Sequence, residues 1–137
     1  MKHRIKFHKE SGFIILDYKG VIIFDDIKVS MIDLLEQAEF SRNSNIIIDF
    51  SNCALNLKYA MVLEYADFIK NSLKKSQFKK VAFLTNLVND FLIAILHYSL
   101  SIRLPIVFNT FSNMEAAFFW IGSFDKKRIA KFDRIDH

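Results

Sequence analysis

The sequence holds one cysteine, one proline and three glycines in 137 residues. Cys53 by itself cannot close an internal disulfide, so no covalent staple holds the chain and a reducing, cytoplasmic compartment is expected. With proline and glycine this scarce there is no Ser/Gly-rich linker, no repeat and no low-complexity tract. Boundaries are therefore read from hydrophobic periodicity. An excess of one charge is also missing: 19 Lys and Arg against 15 Asp and Glu leave a net +4, enough for solubility and short of the clustered excess of a dedicated nucleic-acid binder. A bilayer span needs ~20 mostly apolar residues. Phe13 to Phe24 is broken by Asp17 and Lys19, and Phe91 to Phe108 carries His97, Arg103 and Pro105. Neither run reads as a transmembrane helix, and no N-terminal signal is read.

What is present is core material. Hydrophobic residues make up 52% of the chain and 15 of its residues are Phe, the composition of one domain with a real core. Arg4 to His8 alternates polar and apolar residues as an edge strand does, with Lys6 on its wet face. Glu10-Ser11-Gly12 then turns the chain into a second strand, Phe13 to Tyr18. Asp25 and Asp26 precede a helical stripe of Ile27, Met31, Leu34, Leu35 and Ala38. Ile46-Ile47-Ile48, inside Asn45 to Phe50, is apolar on both faces and predicts a central strand. A second helix is expected over Leu57 to Lys75, a strand over Lys80 to Leu84, and a third helix from a Thr85 or Asn86 cap to about Arg103. Ile106 to Phe108 reads as a short strand after Pro105. Ser112 to Glu115 has capping-box spacing for a last helix that stops at Gly122. The order β-β-α-β-α-β-α-β-α implies an α/β domain over residues 1–122, a mostly parallel sheet with one antiparallel edge strand. Ser123 to His137 is a charged tail or one short helix.

Chemistry is harder to find than structure. No Gly-rich phosphate loop occurs, and His3 and His8, five apart on an alternating strand, face opposite sides and cannot form an adjacent ligand pair. No catalytic residue, metal or cofactor is assigned. His97 lies among Ile95, Leu96 and Tyr98, where a hydrogen-bonded structural imidazole is the simpler account than a general base. Asp49, Ser51 and Asn52 follow the central strand and Thr85 and Asn86 follow its neighbour, the strand ends where parallel sheets bind ligands. The same residue types also satisfy stray amides in turns, which is the simpler account. Cys53 has no basic neighbour in sequence and reads as a small apolar filler. Lys70, Lys74, Lys75, Lys79 and Lys80 form the densest charge run; it lacks the interleaved aromatics of a single-strand binder, so a solvated helix end is favoured over nucleic acid. The third helix is apolar nearly all round, and Phe91, Leu92, Ile95 and Tyr98 are its candidate interface or apolar pocket.

Gly20 before the first helix, the run Ile46-Ile47-Ile48-Asp49-Phe50-Ser51, the strand Val81-Ala82-Phe83-Leu84, and the closing Val107-Phe108 through Phe111-Ser112-Asn113-Met114-Glu115-Ala116-Ala117-Phe118-Phe119-Trp120-Ile121 together resemble the SpoIIAA-like branch of the STAS superfamily. The resemblance spans about residues 5 to 122. It implies a sheet wound by successive β-α units, no cofactor, and a role in recognising proteins or, in some relatives, small apolar ligands. Antagonists of the sigma-regulating type carry a phosphorylatable Ser within Asp-Ser-Ser-Gly at the start of the second helix. Here the matching stretch is Asn56-Leu57-Lys58-Tyr59, so the resemblance brings no phosphoserine to this chain. The expected function is a non-enzymatic protein-interaction or regulatory module, with a homodimer admitted by the apolar third helix; the alternative is a carrier of a lipid-like ligand. A hydrolase or kinase-like enzyme is the least favoured class.

Overall fold

The computed structural model describes residues 2–8, 12–37 and 45–123. The turn residues 10 and 11, Ala38 of the first helical stripe and tail residues 124–137 lie outside the described residues. In chain order the elements are β1 (His3–His8), β2 (Phe13–Tyr18), β3 (Gly20–Ile22), α1 (Phe24–Glu36), β4 (Asn45–Asp49), β5 (Cys53–Leu55), α2 (Val62–Lys74), β6 (Lys80–Leu84), α3 (Asp90–Ser101), β7 (Val107–Phe111) and α4 (Met114–Ser123). β1, β2, β4, β6 and β7 form a five-stranded sheet in that order. β1 pairs antiparallel with β2, and the other pairs are parallel. This is the α/β domain expected, mostly parallel with one antiparallel edge strand. The β1–β2 hairpin closes through the Gly12 amide, which donates to the His8 carbonyl at 2.8 Å, and Gly12 has φ 69°, a value that side chains disfavour.

Strand alternation gives the sheet two unequal faces. Ile14, Leu16 and Tyr18 of β2, Ile46 and Ile48 of β4, and Val81 and Phe83 of β6 point to the larger core, which α1, α2 and α3 cover. Phe13, Ile15, Ile47, Ala82 and Leu84 point the other way, where Ala117 and Ile121 of α4 pack on them. The triple Ile of β4 is fully buried on both faces, which is why its sequence is apolar without alternation. Aromatic rings fill the larger core: Phe83 stands between Phe50 and Phe108, with ring centroids 6.4 and 5.9 Å away.

Several boundaries differ from those the sequence predicts. β3 and β5, three residues each, pair in parallel as a separate ribbon in which Gly20 meets Cys53 and Ile22 meets Leu55. Segments this short carry no periodicity to read. Gly20 thus enters a strand, with φ +84°. The second helix begins later than Leu57. Residues 53–55 are extended, the Asn56 amide donates to the Ile22 carbonyl at 2.8 Å, and a 3-10 turn over Tyr59–Met61 precedes α2. α3 starts at Asp90 because Asn86 caps the preceding turn instead, its Oδ1 accepting from the Asn89 amide at 3.0 Å. β7 runs on to Phe111, since the register with β6 pairs Leu84 with Phe111. The α4 cap is Asn113, whose Oδ1 accepts from the Ala116 amide at 2.9 Å; Ser112 precedes the capping position, and the helix passes Gly122 to end at Ser123.

Candidate functional site

Two places assemble the residues singled out by sequence. The first is the loop cluster at the carboxyl ends of β4 and β6. Asp49, 4% exposed, accepts at Oδ1 from the Ser51 amide at 2.8 Å and the Ser51 hydroxyl at 2.6 Å. Asn86 donates from Nδ2 to the Ser51 and Cys53 carbonyls at 3.0 and 3.2 Å. Thr85 is buried, its amide donating to the Phe111 carbonyl and its hydroxyl lying 3.2 Å from the Asn86 carbonyl. Asn52 is exposed in the turn. The structure therefore brings Asp49, Ser51, Thr85 and Asn86 together, and each makes hydrogen bonds to the chain itself.

The residue that completes the cluster, Asn89, escapes the sequence reading. It is 1% exposed; its Nδ2 donates to the Phe50 and Cys53 carbonyls, both at 2.9 Å, and its Oδ1 accepts from the Leu55 amide at 3.0 Å. Its one signal in the sequence is the three-residue spacing from Asn86, the reach of a side-chain oxygen to an amide one turn on. Cys53 donates its thiol to the Phe50 carbonyl at 3.5 Å, and burial together with the Asp49 carboxylate pushes the thiol up to about 11. A thiol so held is not a nucleophile at neutral pH. Beside Asp49 in register stands Asp17, whose Oδ2 lies 3.2 Å from Arg4 Nη2 and 3.5 Å from Lys6 Nζ.

The second place is the outer side of α3. Leu92, Ile93, Leu96 and Leu100 are buried in the larger core, so the helix spends one side on its own sheet. On the other side Phe91 is 63% and Tyr98 69% exposed. Between this side and β7 runs an open groove of about 770 Å3 lined by Asp90, Phe91, Ala94, His97, Tyr98, Ser101 and Thr110. Of the four predicted residues, Phe91 and Tyr98 line the groove, Ile95 is half-buried and packs against the core, and Leu92, 4% exposed, belongs to the core and not to the surface. Leu92 sits one residue past Phe91, so a 100° step carries it inward. His97 shares a 2.7 Å hydrogen bond between Nδ1 and the Thr110 hydroxyl, which ties α3 to β7. Thr110 has no signal in the sequence, because only the parallel β6–β7 pairing brings it beside α3.

Of the basic run, Lys74, Lys75 and Lys79 are exposed, Lys70 is half-buried, and Lys80 leaves the surface. Lys80 is 9% exposed and its Nζ donates to the Trp120 and Ile121 carbonyls at 3.3 and 3.1 Å, so it braces the last turns of α4. His3 and His8 face opposite sides of β1: His3 Nε2 lies 2.8 Å from Asp33 Oδ2 on α1, and the His8 ring stacks on Phe13 and meets Phe118 edge-on. Among the described residues no three His, Cys, Asp or Glu side chains are placed to hold a metal ion, and no helix is long and apolar enough to cross a membrane.

No protein-family model and no curated protein matches the sequence. A solved structure does match: an uncharacterised protein of the DUF3478 family with a SpoIIAA-like fold, from Shewanella loihica PV-4, is similar over 87% of this chain and 91% of that one, with a TM-score of 0.55 and 19% identity. The fold is SpoIIAA-like. At this identity the likeness carries the arrangement of strands and helices and nothing of activity. Within a SpoIIAA-like fold the loop cluster is the point where two adjacent parallel strands end, and the α3 groove flanks the β7 edge of the sheet.

Proposed function

We propose that this SpoIIAA-like domain is a non-enzymatic, regulatory or interaction module that recognises protein through the outer side of α3. The observation that carries this reading is the exposed pair Phe91 and Tyr98 beside an open apolar groove. Exposed aromatics around a shallow hollow are the material of interface anchors. The strand-end polar residues argue in the same direction: convergent donors and acceptors aimed at empty space are what a reaction needs, and Asp49, Ser51, Asn86 and Asn89 are engaged with backbone and with one another. A second reading, a carrier of a lipid-like ligand, draws on the groove volume of about 770 Å3, which falls within the ~300–1,000 Å3 of small-molecule sites. Native mass spectrometry of the purified chain separates the two. The interaction module predicts the bare polypeptide mass or an integer multiple of it. A retained acyl ligand, lost when Ala94→Trp fills the groove, would overturn it in favour of the carrier. An enzymatic activity abolished by Asp49→Ala without unfolding would overturn both.

A further inference from the structure

We propose that the partner covering α3 is a second copy of this chain, the two α3 helices lying antiparallel about a two-fold axis that passes between residues 96 and 97. The inference rests on the interaction reading above and names its partner. The outer side of α3 and the residue after it place Phe91, Ile95, Tyr98 and Ile102 at steps of four, three and four, the spacing of a seam that packs against another helix. Phe91 is 63%, Tyr98 69% and Ile102 66% exposed, and Ile95 between them is half-buried against the core. That spacing reads the same in both directions about its centre. An antiparallel copy therefore sets Phe91 against Ile102 and Ile95 against Tyr98, and the same contacts recur on both halves, as an isologous interface demands.

Shape and charge agree with this pairing. Ala94 and Ser101, both exposed, line the groove together with Phe91 and Tyr98. In the antiparallel register Tyr98 falls beside Ala94 of the second copy and Phe91 beside its Ser101, so each ring meets a small residue. The seam carries no charge of its own. Asp90 stands at the amino end of α3, and Arg103, paired with Asp67, lies just past the carboxyl end. Antiparallel helices bring the acidic end of one copy to the basic end of the other and oppose their dipoles favourably. Tyr59, 59% exposed, adds apolar surface to the seam, its ring 5.3 Å from that of Phe91, and Leu87 before α3 is 92% exposed. Such side chains together present about 800 Å2, close to the ~800 Å2 that each partner contributes to a stable interface.

Analytical ultracentrifugation of the full chain at 10 to about 100 μM tests the proposal. The wild type is expected to sediment as a dimer. Tyr98→Arg, at an exposed position, is expected to raise the dimer dissociation constant at least about 30-fold, the effect of losing an interface anchor, with its circular dichroism unchanged. Ile32→Arg, on the exposed side of α1, is expected to stay dimeric. Orientation is read by mixing two variants. Phe91→Cys and Ile102→Cys chains should form a disulfide with each other and neither with itself, whereas a Phe91→Cys chain that pairs with itself overturns the antiparallel register. A monomeric wild type, or a dimer indifferent to Tyr98→Arg, overturns the dimer proposal. If that monomer also raises the fluorescence of 8-anilinonaphthalene sulfonate and Tyr98→Arg abolishes the rise, the dimer fails and the interaction module stands. If the dye stays dark, both fail.

Discussion

Asn89 shows how much a single buried amide can hold. Its side chain, 1% exposed, satisfies two carbonyls and one amide in the β4–β5 segment. Replacing it by Ala removes the side-chain partner of the Phe50 carbonyl and the Leu55 amide, while the Cys53 carbonyl keeps Asn86; each buried group left unpaired costs about 1–3 kcal/mol. Asn89→Ala is therefore expected to lower stability by about 3 kcal/mol, read as a shifted urea midpoint at unchanged slope. Asp33 is a weaker case with a pH signature. The hydrogen bond from His3 holds its carboxyl below the usual range, so the folded state binds its proton less readily than the unfolded chain does. The stabilisation is full above the ordinary carboxylate pKa and is lost as pH falls through the lowered folded value. Because the Asp33 side chain is 37% exposed, solvent screens the pair. Asp33→Asn is expected to cost about 0.5 kcal/mol at pH 7 and progressively less as pH falls below the ordinary carboxylate range, compared by thermal melts across that range.

At the scale of the element, α4 depends on one distant side chain. It is the only described helix on its face of the sheet, and its carboxyl end is held by Lys80 from the first position of β6. Charge-assisted bonds to carbonyls are worth about 1.5–3 kcal/mol. Lys80→Met is expected to release α4 ahead of the sheet. Fluorescence of Trp120, the single Trp of the chain, should then change at lower urea than the circular dichroism signal, while both coincide in the wild type. α3 illustrates the opposite situation. That it carries more apolar residues than one side can bury is legible in sequence. The step from Leu92 inward to Phe91 outward was not, because a helix apolar all round gives no phase from which to tell one face from the other. Caps behave similarly. Ser112 and Asn113 can both accept from an amide three residues on, and the end of β7 at Phe111 decides for Asn113.

For the whole molecule, the central position of β4 and β6 makes the sheet one cooperative unit. Phe83 packs its ring against Phe50 and Phe108 at 1% exposure. Phe83→Ala is expected to remove about 4 kcal/mol, a large share of the ~5–15 kcal/mol that holds a domain folded. Trp120 fluorescence and circular dichroism should shift together, since the ring belongs to the core that all the central strands share. Hydrophobic patterning determined, without any coordinates, that this chain is an α/β domain with β4 and β6 inside and β1 at an edge, because burial on one or both faces is written in local periods of two and 3.6. Only the tertiary structure decided what the polar and exposed residues do. Asn89, Lys80 and Thr110 find their partners across the sheet, and the groove beside α3 exists because a parallel crossover sets β7 next to it, a juxtaposition that no local period encodes.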